Sequence, residues 1–328
     1  MSNTGKKKIR YGIIGFGRYA ERRLLPAFGK SQYSELAAIQ KRNPVDVREK
    51  AAAYHIPASC TNPKDLAADP SVEAVIITSP PGLHREHTIL AAEAGKHVMA
   101  EKPPARNAAE VSEMIEVCRQ NGVKFMSAFV MRFIDAVQEI RDLVQRGELG
   151  ELHYASGYFG LDASLSTRSW LDDPELSGGG PVADIGSHIL DLLQFITGQK
   201  ILKLKSILKP SFASREIERN AVVSVEFENN ILGNIYLSFN VVRESGLTFY
   251  GSEGKLDIRN FNQPESIVDI ELVKAGGSKR ISVYNENYYA RLLDNFSEAI
   301  LFEKPILSGG DDALQIQRLI DRIYEEQN

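Results

Sequence analysis

The chain is poor in cysteine. It has two in 328 residues, Cys60 and Cys118. Their separation fits neither a disulfide framework nor a metal or redox pair. Both read as small apolar packing groups in a reducing compartment. Long apolar runs are missing too: none reaches the roughly 18 residues a membrane span needs. Apolar residues begin only at Ile9, and glycines soon interrupt them, so no signal peptide is read and a cytoplasmic location is expected. Excess positive charge is also absent. Against 43 acids stand 39 Lys and Arg, a net charge of −4, which gives no electrostatic reason to bind nucleic acid. The Lys6-Lys7-Lys8 run ahead of the first apolar segment reads as a solvated tail. What is present is ordinary for a soluble globular protein, with 43% hydrophobic and 25% charged residues. The length suggests two domains.

Residues 9–128 alternate strand and helix signals. Ile9–Ile14, Leu36–Ile39, Ala74–Ile77, His97–Ala100 and Val123–Ala128 read as short strands. Between them Arg18–Lys30, a segment opened by Asn43-Pro44, Leu83–Ala94 and Ala108–Gln120 read as helices. Repeated βα units predict an α/β, doubly wound parallel sheet of the Rossmann kind over 1–130. Beyond that the pattern changes. A helix is read near Phe133–Gln145, a strand at Leu152–Phe159 and a helix at Pro181–Ile196. Strands dominate Ile201–Val283, followed by helices near Tyr288–Phe302 and Asp311–Tyr324. Residues 131–328 therefore predict an α+β domain, with one sheet face left uncovered by helices.

Three motifs carry chemistry. Gly15-Phe16-Gly17-Arg18-Tyr19-Ala20 opens the first βα turn, where a dinucleotide pyrophosphate approaches the backbone. The second strand ends in Gln40-Lys41-Arg42, without the acid that binds the ribose 2′-OH of NAD. Lys41 and Arg42 suit a 2′-phosphate instead, so NADP is expected ahead of NAD. Glu101-Lys102-Pro103 follows another strand, at the edge where open α/β sheets bind ligands. Gly178-Gly179-Gly180-Pro181-Val182-Ala183-Asp184-Ile185-Gly186-Ser187-His188 places a carboxylate and an imidazole four residues apart on one helical face, after glycines that permit close approach of a ligand. Arg168 and Trp170, just upstream, suit an anionic group and a sugar face. Asp184, His188 and Asp191 also have a spacing that zinc accepts, but metal-free chemistry is preferred and Asp191 is read as structural.

In this order, with Ser79-Pro80-Pro81-Gly82-Leu83-His84 and Ala94-Gly95-Lys96-His97-Val98, these motifs resemble the Gfo/Idh/MocA oxidoreductase family over nearly the whole chain. The resemblance implies a large, open-faced, mostly antiparallel sheet in the second domain and a homodimer or homotetramer formed through it. It implies Lys102, Asp184 and His188 as catalytic groups. Cofactor contacts fall on Gly15, Phe16, Gly17, Arg18, Tyr19, Lys41, Arg42, Ser79, Pro80, His84, Glu101 and Lys102. Substrate contacts fall on Arg168, Trp170, Asp184 and His188. The expected reaction moves a hydride between NAD(P) and a secondary alcohol or ketone of a sugar, polyol or related ring. A nicotinamide-dependent glycosidase and a non-catalytic dinucleotide sensor are the alternatives. The sequence departs from the family at the missing acid after the second strand. It departs again at Asp135, where many members carry proline.

Overall fold

Apolar runs such as Ile9–Ile14 and Ala74–Ile77 have almost no polar position, which suits strands covered on both faces. The computed structural model describes residues 7–210 and 216–326. Lys6 of the lysine run lies outside the described residues, as do residues 211–215 within the stretch read as strands.

The chain divides into two units, residues 1–128 with 289–315 and residues 129–288 with 316–328. The first holds a six-stranded parallel sheet: β1 (Ile9–Ile14), β2 (Ser34–Gln40), β3 (Ala58–Cys60), β4 (Ala74–Ile77), β5 (His97–Ala100) and β6 (Phe125–Ser127). Their order is β3-β2-β1-β4-β5-β6, so strand order reverses between β1 and β4. Helices α1 (Leu25–Lys30), α2 (Pro44–Ala53), α3 (Pro63–Ala68), α4 (His84–Glu93) and α5 (Ala108–Gln120) make the crossovers. Asn43, Asn62 and Asn107 cap α2, α3 and α5 with their side chains, accepting backbone N–H groups at 2.9–3.1 Å. The stretch expected as one helix over Arg18–Lys30 is a π-turn at Ala20–Leu24 running into α1. Val75, Ile77, Val98, Val111 and Met114 share one core with buried Cys118, and that burial pushes the Cys118 thiol up to about 12.

The second unit begins with α6 (Asp135–Gln145), which starts at Asp135 itself, and continues through β7 (Leu152–Asp162), α7 (Pro174–Ser177) and α8 (Ser187–Thr197). The strands that follow are β8 (Ile201–Lys209), β9 (Asn220–Phe227), β10 (Leu232–Ser238), β11 (Asn240–Gly251), β12 (Gly254–Arg259), β13 (Ser266–Lys274) and β14 (Gly277–Asn285). The eight strands run in the order β14-β13-β12-β11-β7-β10-β9-β8. Every pair is antiparallel except β7 with β10. Inward residues such as Val223, Ile235, Leu247, Phe249 and Ile270 are buried, and α6 and α8 pack against the sheet. The alternate residues stay exposed. Ile207, Val222 and Tyr236 are aligned in register across β8, β9 and β10.

Helices α9 (Tyr288–Phe302) and α10 (Gly310–Glu325) close the chain. Residues 289–315 return to the first unit, where Tyr11 hydrogen-bonds Ser297 at 2.8 Å and Asp294 accepts from Ser31 at 2.6 Å. A division at residue 130 alone does not describe that return.

Candidate active site

The carboxyl ends of β1, β4 and β5 lie side by side in the first sheet. From them emerge Gly15–Ala20, Ser79-Pro80 and Glu101–Lys102. Gly15 has φ +84°, and a Cβ there would meet the Ser79 backbone N at 2.7 Å. Glycine is therefore demanded by the neighbouring loop. Gly17 differs: a Cβ would meet nothing nearer than Gly15 O at 3.7 Å. Packing does not require glycine there, so the position leaves open space beside the turn.

Gln40, at the end of β2, is buried and braces this turn. Its Oε1 accepts from Gly15 N at 3.0 Å, its backbone O accepts from Phe16 N at 2.9 Å, and its Nε2 donates to Thr61 O at 2.7 Å. The phenyl ring of Phe16 is buried, while Arg18 and Tyr19 are exposed. The Tyr19 hydroxyl donates to Glu101 Oε1 at 2.6 Å, tying the glycine turn to the Glu-Lys-Pro segment. Burial pushes the Glu101 carboxyl up to about 7, against the opposing pull of that bond and of Lys102. Lys41 pairs with Asp46 at 2.5 Å, and Arg42 stands exposed beside it. His84 turns inward. Its ring nitrogens lie 2.8 Å from Ser79 O and 3.1 Å from Pro104 O, and burial pushes it down to about 4. A neutral ring donates to only one of these oxygens at a time. His84 thus ties down one of the two flanking loops by hydrogen bond and packs against the other. His87 Nδ1 meets Ser79 Oγ at 2.9 Å, so the two histidines serve the loop.

In the second unit, Asp184 sits in a π-turn at Val182–Gly186 that runs directly into α8. The expected single helix from Pro181 is thus two helical forms in succession. Such wide turns recur at functional sites. Asp184 and His188 are both buried. Arg168 donates to Asp184 Oδ2 at 2.7 Å and lies over the Trp170 ring at 5.4 Å from its centre. The Asp184 carboxylate holds the Arg168 guanidinium above its already high range. Asp191, one turn beyond His188, faces Arg132 instead. No group of three side chains able to hold a metal comes together among the described residues.

Glu218 carries no motif, yet it is fully buried beside the glycine run. It accepts from Gly180 N at 3.1 Å, Val182 N at 2.9 Å and the Tyr324 hydroxyl at 3.0 Å. A Cβ on Gly179 would meet Tyr324 Oη at 2.0 Å, and one on Gly180 would meet Glu218 O at 2.0 Å. Close approach was expected toward a ligand. Here Gly179 and Gly180 are needed for Glu218 and Tyr324.

Residues 9–129 match the family model described as an oxidoreductase family with an NAD-binding Rossmann fold, and residues 137–257 match the GFO/IDH/MocA C-terminal domain. The chain is 28% identical over 298 residues to 1,5-anhydro-D-fructose reductase of Ensifer adhaerens, covering 89% of this chain and 88% of the relative. It is 26% identical to dTDP-3,4-didehydro-2,6-dideoxy-alpha-D-glucose 3-reductase of Saccharopolyspora spinosa over 97% of both chains. The solved aldose-aldose oxidoreductase of Caulobacter crescentus superposes with a TM-score of 0.90 at 28% identity, covering 98% of each chain.

Proposed function

The chain belongs to the Gfo/Idh/MocA oxidoreductase family, and from that premise we propose that it moves a hydride between NAD(P) and a secondary alcohol or ketone of a neutral sugar or polyol. The observation that carries this is the sheet edge. The glycine turn, Ser79 and Glu101–Lys102 follow the adjacent strands β1, β4 and β5, at the point where strand order reverses. The open space at Gly17 fits the dinucleotide pyrophosphate. When bound, the nicotinamide supplies the hydride acceptor or donor.

In the oxidative direction, His188 takes the hydroxyl proton as general base. Lys102 stabilises the negative charge that develops on oxygen. Asp184 and Arg168 offer an acceptor beside a donor, which suits adjacent hydroxyl groups. Because each offsets the other's charge, the pair favours a neutral substrate over a carboxylate. Trp170 provides the apolar face of a sugar site. A panel of 1,5-anhydro-D-fructose, levoglucosan, glucosides and inositol, followed by NAD(P)H absorbance, tests the reading. Oxidation or reduction of one of them is expected. Glycoside cleavage without net nicotinamide change would replace the proposal with the glycosidase alternative.

The preferred cofactor is NADP. Arg42 is the better candidate for the 2′-phosphate, since Lys41 is shared with Asp46. Fluorescence titration should show tighter binding of NADPH than NADH. The Lys41→Ala/Arg42→Ala pair should weaken NADPH by about tenfold, the ~1.4 kcal/mol expected of one charge-assisted contact, with NADH little changed. Equal losses would remove the argument.

Assembly follows from the uncovered sheet face. Ile207, Val222 and Tyr236 expose apolar surface in one row of that face, and exposed apolar side chains aligned in this way support an interface. Light scattering should find a homodimer or homotetramer at micromolar protein, and Val222→Lys should dissociate it. A wild-type monomer would refute the interface. Among the described residues, no helix is long and apolar enough to cross a membrane. Cys60 and Cys118 are free, which accords with a reducing, cytoplasmic setting.

A further inference from the structure

We propose that Glu218 and Tyr324 form a buried carboxylate–phenol clamp on the backbone of Gly180 and Val182 that positions Asp184 and His188. The proposal rests on the catalytic reading of those two residues. Its geometry stands apart from that reading.

Three remote segments meet at the clamp. Glu218 precedes β9, Tyr324 lies on α10, and the glycine run leads into the π-turn and α8. Both Glu218 and Tyr324 are buried. Glu218 spends both carboxylate oxygens here: Oε2 on Gly180 N, and Oε1 on Val182 N and the Tyr324 hydroxyl. All three donors are neutral and directional. Such bonds fix an orientation, where a cation would mainly supply charge. Burial pushes the Glu218 carboxyl upward, and the same three donors, together with the backbone N–H of Glu218 itself, oppose that shift.

The sequence of the turn is built around this contact. Gly179 has φ +140° and Gly180 packs against the Glu218 carbonyl, so a side chain at either would collide. At the far end of the turn, a Cβ on Gly186 would meet Leu237 Cδ1 at 2.6 Å. The π-turn is thus held at its entry by Glu218 and crowded at its exit by Leu237. Asp184 lies between these two points, and His188 follows immediately on α8. A displaced Gly180–Val182 backbone would carry Asp184 with it, and a reacting group moved by about 1 Å costs on the order of 10²-fold in rate.

Glu218→Gln tests the clamp. Glutamine keeps the shape but turns one acceptor into an NH₂ donor facing an N–H. The first readout is the His188 ring titration by NMR on ¹³C-labelled histidine, its signal identified by its loss in His188→Ala. This needs no substrate. A shift of about half a pH unit or more is expected as Asp184 moves, with the thermal midpoint retained to within a few degrees. The second readout is turnover of whichever panel sugar reacts. A fall in kcat of about 10- to 10²-fold is expected, with NADPH affinity unchanged. Tyr324→Phe, which removes only one of the three bonds, should shift both readouts in the same direction and less, and it carries the test should Glu218→Gln not fold. An unchanged His188 titration in folded variants, whatever their melting temperatures, would overturn the proposal and leave the pair purely structural. A shifted titration in a protein that neither oxidises nor reduces any panel member would uphold the clamp while removing the hydride-transfer reading.

Discussion

His188→Ala is expected to lower the oxidative rate by roughly 10²–10⁴-fold with nicotinamide affinity nearly intact. The expectation follows from placement. His188 is buried on the first turn of α8, in the second unit, and the nucleotide motifs lie in the first. Removing its ring should take away the proposed proton acceptor while leaving every residue of the glycine turn in place. Lys102→Ala should also lower kcat, and it should weaken nucleotide binding as well, because Lys102 follows the same strand edge as the glycine turn. Asp184→Asn should act mainly on KM, since it breaks the charge balance with Arg168 while leaving a group that can still hydrogen-bond a hydroxyl. Steady-state kinetics with the reacting sugar, together with nucleotide titrations of each variant, separate these effects. Combined losses should be less than additive, because the proposed reaction uses the groups in a single step. Near-normal turnover in His188→Ala would show that another group moves the proton.

What was legible in the sequence was whatever a local pattern encodes. Strands β1 and β4 are continuous apolar runs, and Asn43-Pro44 announces the start of α2. The switch from βα alternation to successive strands gave the two-sheet division. Two short elements, β3 and α3, left little periodicity to read, although Asn62-Pro63 opens α3 just as Asn43-Pro44 opens α2. The π-turns were not legible, because residue spacing barely distinguishes them from α-helix and packing decides which hydrogen bonds form. Gln40 was recognised as a missing acid. Its positive role, holding Gly15 and Phe16, needs the fold to be seen. Glu218 is one of 43 acidic residues, and nothing nearby in sequence predicts that it reaches Gly180 from 38 positions away. Local patterns name the groups that do chemistry, whereas the groups that hold them come from distant segments.

Asp191 shows how large such a distant contribution should be. Its spacing from Asp184 and His188 suggested a third metal donor. In the fold its carboxylate instead receives Arg132 Nε at 3.0 Å to each oxygen and Nη2 at 2.5 Å, with the side chains 1% and 8% exposed. The Arg132 guanidinium also lies 5.0 Å from the centre of the Phe195 ring, which takes Arg141 at 4.4 Å as well. Asp191→Ala would take the carboxylate from a buried cation. Breaking one side of such a pair costs about 3–5 kcal/mol. For a unit of this size, each kcal/mol lowers the melting temperature by about 2–4 °C, so the loss should be on the order of 6–20 °C. Arg132→Ala should cost a similar amount, because it strands the carboxylate and removes the cation–π contact. Replacing both, as Arg132→Met with Asp191→Leu, should recover much of the loss, since no buried charge remains. Calorimetry of the three variants compares removal of the whole pair with loss of one partner. A double variant as unstable as the sum of the two single ones would show that the charges do not act as a pair. A single variant within about 0.5 kcal/mol of wild type, the range of an ordinary surface change, would show that water already reaches this site and that α8 is held by its apolar face alone.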